Sequence, residues 1–369
     1  MQNKIFLLLT LALSFGCASA QPQSNRHTEV SIRGDDFYIN SQPTYAGRTW
    51  NGRRIEGLLL NARLVQGIFD DLNPATTNRW IYPDTGKWNA ERNTREFIAA
   101  MPDWRAHGLL AFTLNLQGGS PYGYSREQPW RNSAFDSDGS LHGAYFSRLQ
   151  RILDRADELG MVVILGYFYQ GQDHVLTNET SVIRAVDNAT GWVLEHGYRN
   201  VIVEINNECD QHYVNEILRP ERVHELVARV RNTDRNGFHL LASTSYSGPL
   251  PTENVVTNAD FILVHGNGVK NPARITDSVG KIRAMCEKPK PVVFNEDDNY
   301  NFDQPTNNFV AAVGEHASWG YFDYRRKGDN FNEGFQSVPA DWTIDSERKR
   351  EFFQLVSEMA ETNSAADKK

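Results

Sequence analysis

The stretch "VIVEINNECD", residues 201 to 210, sets four aliphatic residues around Glu204 and then runs into Asn206, Asn207, Glu208 and Asp210. A second stretch, "KPVVFNEDD", repeats the arrangement: an apolar run, an asparagine, then Glu296. One glutamate at the end of an apolar strand is ordinarily a solvated loop residue. Two, each preceded by asparagine, become chemically useful if the fold brings them together. One carboxyl can protonate a leaving oxygen while the other attacks, or directs water at, the carbon left behind, which is what cleavage of a glycosidic bond requires.

Strands have to place these two groups. Apolar runs read as strands at 57–62, 108–116, 161–169, 200–206, 238–244, 260–265, 291–295 and 319–324. Between them lie stretches with apolar residues at helical spacing, such as "YFSRLQRILDRADELG" with its glycine stop, "ERVHELVARVRN", "ARITDSVGKIRAM", "NNFVAAVGEHAS" and "SERKREFFQLVSEMAE". Eight alternating units with continuously apolar strands predict parallel β/α construction covered on both faces. An open doubly wound sheet is the alternative, but eight units over this length favour a closed (β/α)8 TIM barrel. Glu208 and Glu296 end the fourth and seventh runs, 88 positions apart. That is about 29 per unit, near the roughly 31 of an average barrel, and strands four and seven face each other across its mouth. Before the barrel, "EVSIRGDDFYINSQPTY" alternates around a turn and reads as a β-hairpin.

The chain of 369 residues opens with Lys4, an apolar run from Ile5 to Phe15, and "CASA". This fits a secretory leader cut after Ala20, with a lipid anchor at Cys17 as the competing route, so export to the periplasm or beyond is expected. The expected divisions are a leader at 1–20, an N-terminal segment with the hairpin at 21–45, the barrel at 46–362 and a frayed tail at 363–369. No later run is long enough to span a bilayer. Two cysteines beyond the leader make no disulfide scaffold, and a net charge of −8 without a basic tract argues against a nucleic-acid partner.

"EINNE" resembles the strand-four signature of the clan A retaining glycoside hydrolases, particularly family 5, the cellulase-like enzymes. "KPVVFNE" resembles their strand-seven nucleophile segment, and "FYINSQPTY" their N-terminal hairpin. The resemblance implies a β-glycosidase acting by double displacement on an oligo- or polysaccharide. In it Glu208 is the acid/base, Asn207 holds the sugar 2-hydroxyl and Glu296 is the nucleophile; no cofactor is implied. The sequence departs from the pattern at Cys209, where proline is usual, and at Asp297-Asp298. It also lacks the arginine expected after strand two and a platform tryptophan near the end of strand eight, where Tyr321, Phe322 and Tyr324 stand instead.

These roles call for a raised pKa at Glu208 and an ordinary or depressed one at Glu296. Arg63, Tyr246 and His265 are candidates to keep Glu296 ionised, His265 being equally able to bond a sugar hydroxyl or serve structure. Asn115 and Gln117 share one face of strand two and either bind hydroxyls or close the barrel's polar upper layer. The loops at 64–92 and 117–142 carry Trp80, Tyr82, Trp88, Tyr122, Tyr124 and Trp130. Their faces suit pyranose rings, or else pin the loops to the barrel. With Tyr324 these complete the expected sugar contacts. Two other classes compete: a metal-dependent barrel hydrolase using His174, His265, Asp297 and Asp298, which lack any metal-ligand spacing, and a non-catalytic carbohydrate-binding barrel. Sugar identity, exo or endo action and oligomeric state are left open.

Overall fold

A computed structural model describes residues 26–361. The expected leader at 1–20, Cys17 and the tail at 363–369 lie outside the described residues. The first hairpin forms where the alternation places it. Strand β1 (Val30–Arg33) pairs antiparallel with β2 (Asp36–Ile39), Val30 opposite Ile39, and β3 (Gln42–Pro43) adds a short third strand. Strands β4 (Thr49–Trp50) and β5 (Arg53–Arg54) make a second small hairpin.

Eight parallel strands follow: β6 (Asn61–Arg63), β7 (Ala111–Asn115), β8 (Val162–Tyr169), β9 (Val201–Asn207), β10 (Leu241–Ser243), β11 (Ile262–His265), β12 (Val292–Asp297) and β13 (Ser318–Tyr321). Each is followed by a helix: α1 (Ala90–Ala106), α2 (Gly143–Leu159), α3 (Glu179–Glu195), α4 (Val223–Arg231), α5 (Glu253–Asn258), α6 (Ala273–Met285), α7 (Asn308–Gly314) and α8 (Glu347–Glu361). The ladder runs β10-β9-β8-β7-β6-β13-β12-β11. The last seam, between β10 and β11, is joined at its base by Asp260 N donating to Ala242 O at 3.0 Å and Ala242 N to Asp260 Oδ2 at 2.9 Å. This is the (β/α)8 barrel. All eight expected strands are present, several shorter than their apolar runs. In the first, side chains replace the ladder: Thr44 Oγ1 donates to Leu58 O, and Leu59 N to Ser318 Oγ. Asn89, Asn178 and Asn307 cap the starts of α1, α3 and α7, and Gly160 ends α2 at φ +68 as its glycine stop predicts.

Burial separates along each strand with the period of two. Leu59, Ala111, Ile202, Leu263 and Val293 cluster with Val30 and Phe37, while Phe112, Val203, Val264 and Phe294 join the larger core with the helices. Phe37 is fully buried, its ring 6.1 Å from that of Phe261, so the first hairpin plugs the floor of the barrel. Burying that ring contributes about 2–3 kcal/mol. Above the floor the interior turns polar: Asn295 Nδ2 on β12 reaches Glu204 Oε1 on β9 at 3.4 Å, across the barrel. Cys209 is buried and Cys286 half-buried, both as free thiols. No helix among the described residues is long and apolar enough to cross a membrane.

Candidate active site

Two local distortions aim the carboxylates. Strict alternation along β12, with Val293 inward and Phe294 outward, would put Asn295 inward and Glu296 outward. The pairing of β12 with both neighbours shifts register at this point, a bulge that turns Glu296 into the mouth as well. Glu208 follows β9 in a left-handed conformation, φ +50, unusual for a residue with a side chain. Ser245 holds that turn, its hydroxyl accepting from Glu208 N at 2.9 Å and its carbonyl from Cys209 N at 2.9 Å.

The two carboxylates belong to a closed ring of six side chains from five strand ends. Gln170 Nε2 donates to Glu208 Oε2 at 2.8 Å, and Gln170 Oε1 accepts from Asn207 Nδ2 at 2.9 Å. Asn207 Oδ1 accepts from Arg63 Nη2 at 2.6 Å, and Arg63 Nε lies 2.5 Å from Glu296 Oε2. His265 Nδ1 completes the ring, 3.7 Å from Glu296 Oε2 and 3.1 Å from Glu208 Oε1. Asn267 Nδ2 adds a donor to Glu296 Oε1 at 2.6 Å. One oxygen of each carboxylate and one ring nitrogen of His265 all lie within 4.8 Å of one another. The side chains of Arg63 and His265 are 1 % and 0 % exposed, Glu296 7 % and Glu208 16 %, so the cluster is almost wholly buried, with Glu208 nearest water.

The charge balance reverses the sequence expectation. Burial pushes Glu208 up, but the hydrogen bond and charge of His265, with Arg63 and Gln170, outweigh it and hold the carboxyl below its ordinary value. Burial also pushes Glu296 up; there Arg63 and His265 pull back less than burial and the Glu208 charge push, and the net shift is upward. His265 is itself raised, burial being outweighed by the two carboxylates. Burial is common to both acids, so the donors facing each one decide.

Arg63, Asn207, Glu208, His265 and Glu296 are thus brought together; the other expected contacts do not join them. The Tyr246 hydroxyl pairs with Thr252 Oγ1 at 2.5 Å beside Cys209, not with Glu296. Asn115 is fully buried in the barrel interior, where the Cβ of any residue replacing Gly166 would fall 2.2 Å from its Oδ1. Gln117 is likewise buried, its Nε2 donating to Ser133 Oγ at 3.3 Å. Trp80 and Trp130 are 0 % and 2 % exposed and pack edge to face at 5.7 Å with Phe69 and Val338, Trp88 lying against them. Their faces are taken by protein, and they pin the two long loops together. Tyr324 stays at the mouth, 5.3 Å from the ring of Tyr124.

Against solved structures the architecture has clear counterparts. A glycoside hydrolase family 5 enzyme from Prevotella bryantii superposes with a TM-score of 0.54 and 12% identity, over 82% of this chain and 95% of that one. An endo-1,4-β-mannanase from Rhizomucor miehei gives 0.55 and 10%, over 91% and 100%. A candidate glycoside hydrolase from Bacteroides vulgatus gives 0.56 and 12% over 89% of this chain, which spans only 60% of that protein. The chain has the fold of the family 5 glycoside hydrolases. No protein-family model and no curated protein sequence matches it.

Two groups among the described residues bring metal-donor atoms close together: Glu208, His265 and Glu296, and Asp35, Asp36 and His316. In the first, Arg63 already pairs its positive charge with the Glu296 carboxylate; in the second, Arg54 does so for Asp36. Asp297 is committed elsewhere, accepting from Asn299, Asn308 and Trp319. Sequence reasoning missed Gln170 and Asn267, amides one and two residues past strand ends, a position that in a barrel points at the mouth.

Proposed function

We propose that this protein is a retaining β-glycoside hydrolase acting on an oligo- or polysaccharide, with Glu208 as acid/base and Glu296 as nucleophile. The carrying observation is that one oxygen of Glu208 and one of Glu296 lie within 4.8 Å of each other. Retaining enzymes keep their carboxyls about 5–5.5 Å apart, whereas inverting ones need roughly 6.5–9.5 Å to admit a water. The family 5 fold supports the same reading.

Glu296 attacks the anomeric carbon while Glu208 gives its proton to the leaving oxygen; Glu208 then takes a proton from the water that releases the sugar. Arg63 and Asn267 hold the attacking carboxylate in line. Asn207 spends its oxygen on Arg63 and one amide hydrogen on Gln170, leaving one hydrogen for a sugar hydroxyl. In the unliganded site the pair's proton favours Glu296, while turnover needs it on Glu208. His265 Nδ1, within reach of both, can carry it across, and a sugar seated over the pair strips the remaining water from Glu208, which favours the protonated form. The wide separation of roles thus arises only in the complex.

The test is a screen on β-linked polysaccharides, with 1,4-linked mannan, glucan and xyloglucan first, and product analysis by mass. Turnover that disappears in Glu296→Ala and partly returns with added azide supports the reading. A Glu296→Ala protein retaining about a tenth of wild-type activity, against the many orders an enzyme nucleophile ordinarily supplies, removes the nucleophile assignment.

A further inference from the structure

If Glu208 protonates the leaving oxygen, the leaving part of the substrate extends over the β9 side of the mouth, and the sugar bonded to Glu296 stays behind. Any unit preceding that sugar must extend the opposite way, over β13 and β6. That sector is roofed. The loop after β7 crosses it: Val338 N donates to Pro121 O at 2.9 Å, and Gln336 Nε2 to Ser120 O at 3.2 Å. Gly123, at φ +93, lies so close to Tyr324 that a Cβ there would fall 2.4 Å from its ring. Tyr124 sets its ring edge-on to Phe322 and Tyr324, at 5.5 and 5.3 Å, and its hydroxyl donates to Asp298 Oδ2 at 3.0 Å. Asp298 Oδ1 accepts from Gly268 N at 3.1 Å, tying in the loop after β11. In ladder order β7 and β12 are separated by β6 and β13, so a contact between the loop after β7 and a residue just past β12 must span the mouth above those two strands. Glu296 lies close enough beneath for its charge to join burial in raising the Tyr124 phenol.

We propose that the Tyr124–Asp298 bridge ends the substrate cleft on the side away from Glu208, so that the enzyme removes single terminal units from the non-reducing end of a glycan. The inference rests on the retaining-glycosidase reading, specifically on Glu208 as proton donor. A β-1,4-linked chain continues from the carbon across the ring from the reacting one, straight into the bridge. The Tyr124 hydroxyl and Asp298 carboxylate then face the hydroxyls of the terminal sugar, which an internal unit would lack.

The test uses the full chain with reducing-end-labelled manno-, gluco- and xylo-pentaoses, all β-1,4-linked, and reads product length at early times. The expected first labelled product from wild type is the tetraose. Labelled biose or triose appearing first from active wild type overturns the bridge as the end of the cleft and leaves the glycosidase reading intact; no turnover of any pentaose or polysaccharide overturns both. Asp298→Ala and Tyr124→Ala should raise the fraction of internal cuts by about tenfold, since they remove a steric block of a few contacts. Tyr124→Phe, which keeps the ring packing and loses only the hydroxyl, guards against a loop that simply unfolds and should shift the pattern the same way. An unchanged product pattern in all three variants, with wild-type melting temperatures, contradicts the proposal.

Discussion

Arg63 Nε meets Glu296 Oε2 at 2.5 Å while its Nη2 donates to Asn207 Oδ1 at 2.6 Å, so one buried guanidinium aligns the carboxylate of the proposed nucleophile and the amide beside the proposed acid/base. A lysine keeps the charge but cannot fork to both partners. Arg63→Lys should therefore lower kcat/KM by about 10²–10³, the usual cost of a lost active-site donor. Arg63→Met should also move the acid limb of the pH profile upward, because the strongest pull holding Glu296 down is gone. A lysine variant within about threefold of wild type, under 1 kcal/mol, would show that the fork is structural.

Gln170 is the only neutral donor to Glu208 in the ring. Gln170→Glu removes that donor and adds a like charge, both of which favour protonated Glu208. The proposed mechanism requires the proton on Glu208, so the alkaline limb of kcat/KM should move up by about one unit or more. Gln170→Ala should move it the same way by less. The limbs report the coupled carboxylates together, so the shift, rather than its absolute position, is the readout. An unmoved alkaline limb in Gln170→Glu would place Gln170 away from Glu208 in solution.

Asp297 fixes the strand-seven end from outside the barrel, accepting from Asn299 Nδ2 at 2.9 Å, Asn308 Nδ2 at 3.0 Å and Trp319 Nε1 at 3.0 Å. Burial nonetheless raises its pKa from 3.8 to about 6. A raised acid binds its proton more tightly folded than unfolded, so its contribution to stability is full below pH 3.8 and is lost as pH rises through about 6. Asp297→Asn should cost about 1–3 kcal/mol through mismatched hydrogen bonds. The gap from wild type should be widest near pH 4 and narrow above pH 6. Urea melts at the two pH values check this; a gap that widens with pH would mean the folded protein holds Asp297 ionised throughout.

The succession of strands and the positions of the two glutamates were legible because hydrophobic burial dictates them: each glutamate ends a run apolar enough to be a parallel strand covered on both faces. His265 and Arg63 were legible for the same reason, as polar groups at strand ends. The bulge at Asn295–Glu296 was not, since strict alternation would turn Glu296 away from the mouth. Trp80 and Trp130 show the limit for loops, where an aromatic face suits a sugar and another tryptophan equally well and only tertiary packing chooses. The pKa order escaped the sequence because it depends on which carboxylate Gln170, Asn267 and His265 approach. Those distances are set by loop geometry, not by residue type.

The pairing of Glu208 and Glu296 for double displacement is tested most directly by proton NMR of the anomer first formed from a β-glycoside that the enzyme hydrolyses. Two successive inversions, one at attack by Glu296 and one at release by water, return the β-anomer, which then mutarotates. The β-anomer appearing first is the predicted result. The α-anomer appearing first would mean that water, not Glu296, reaches the anomeric carbon, and would contradict the account.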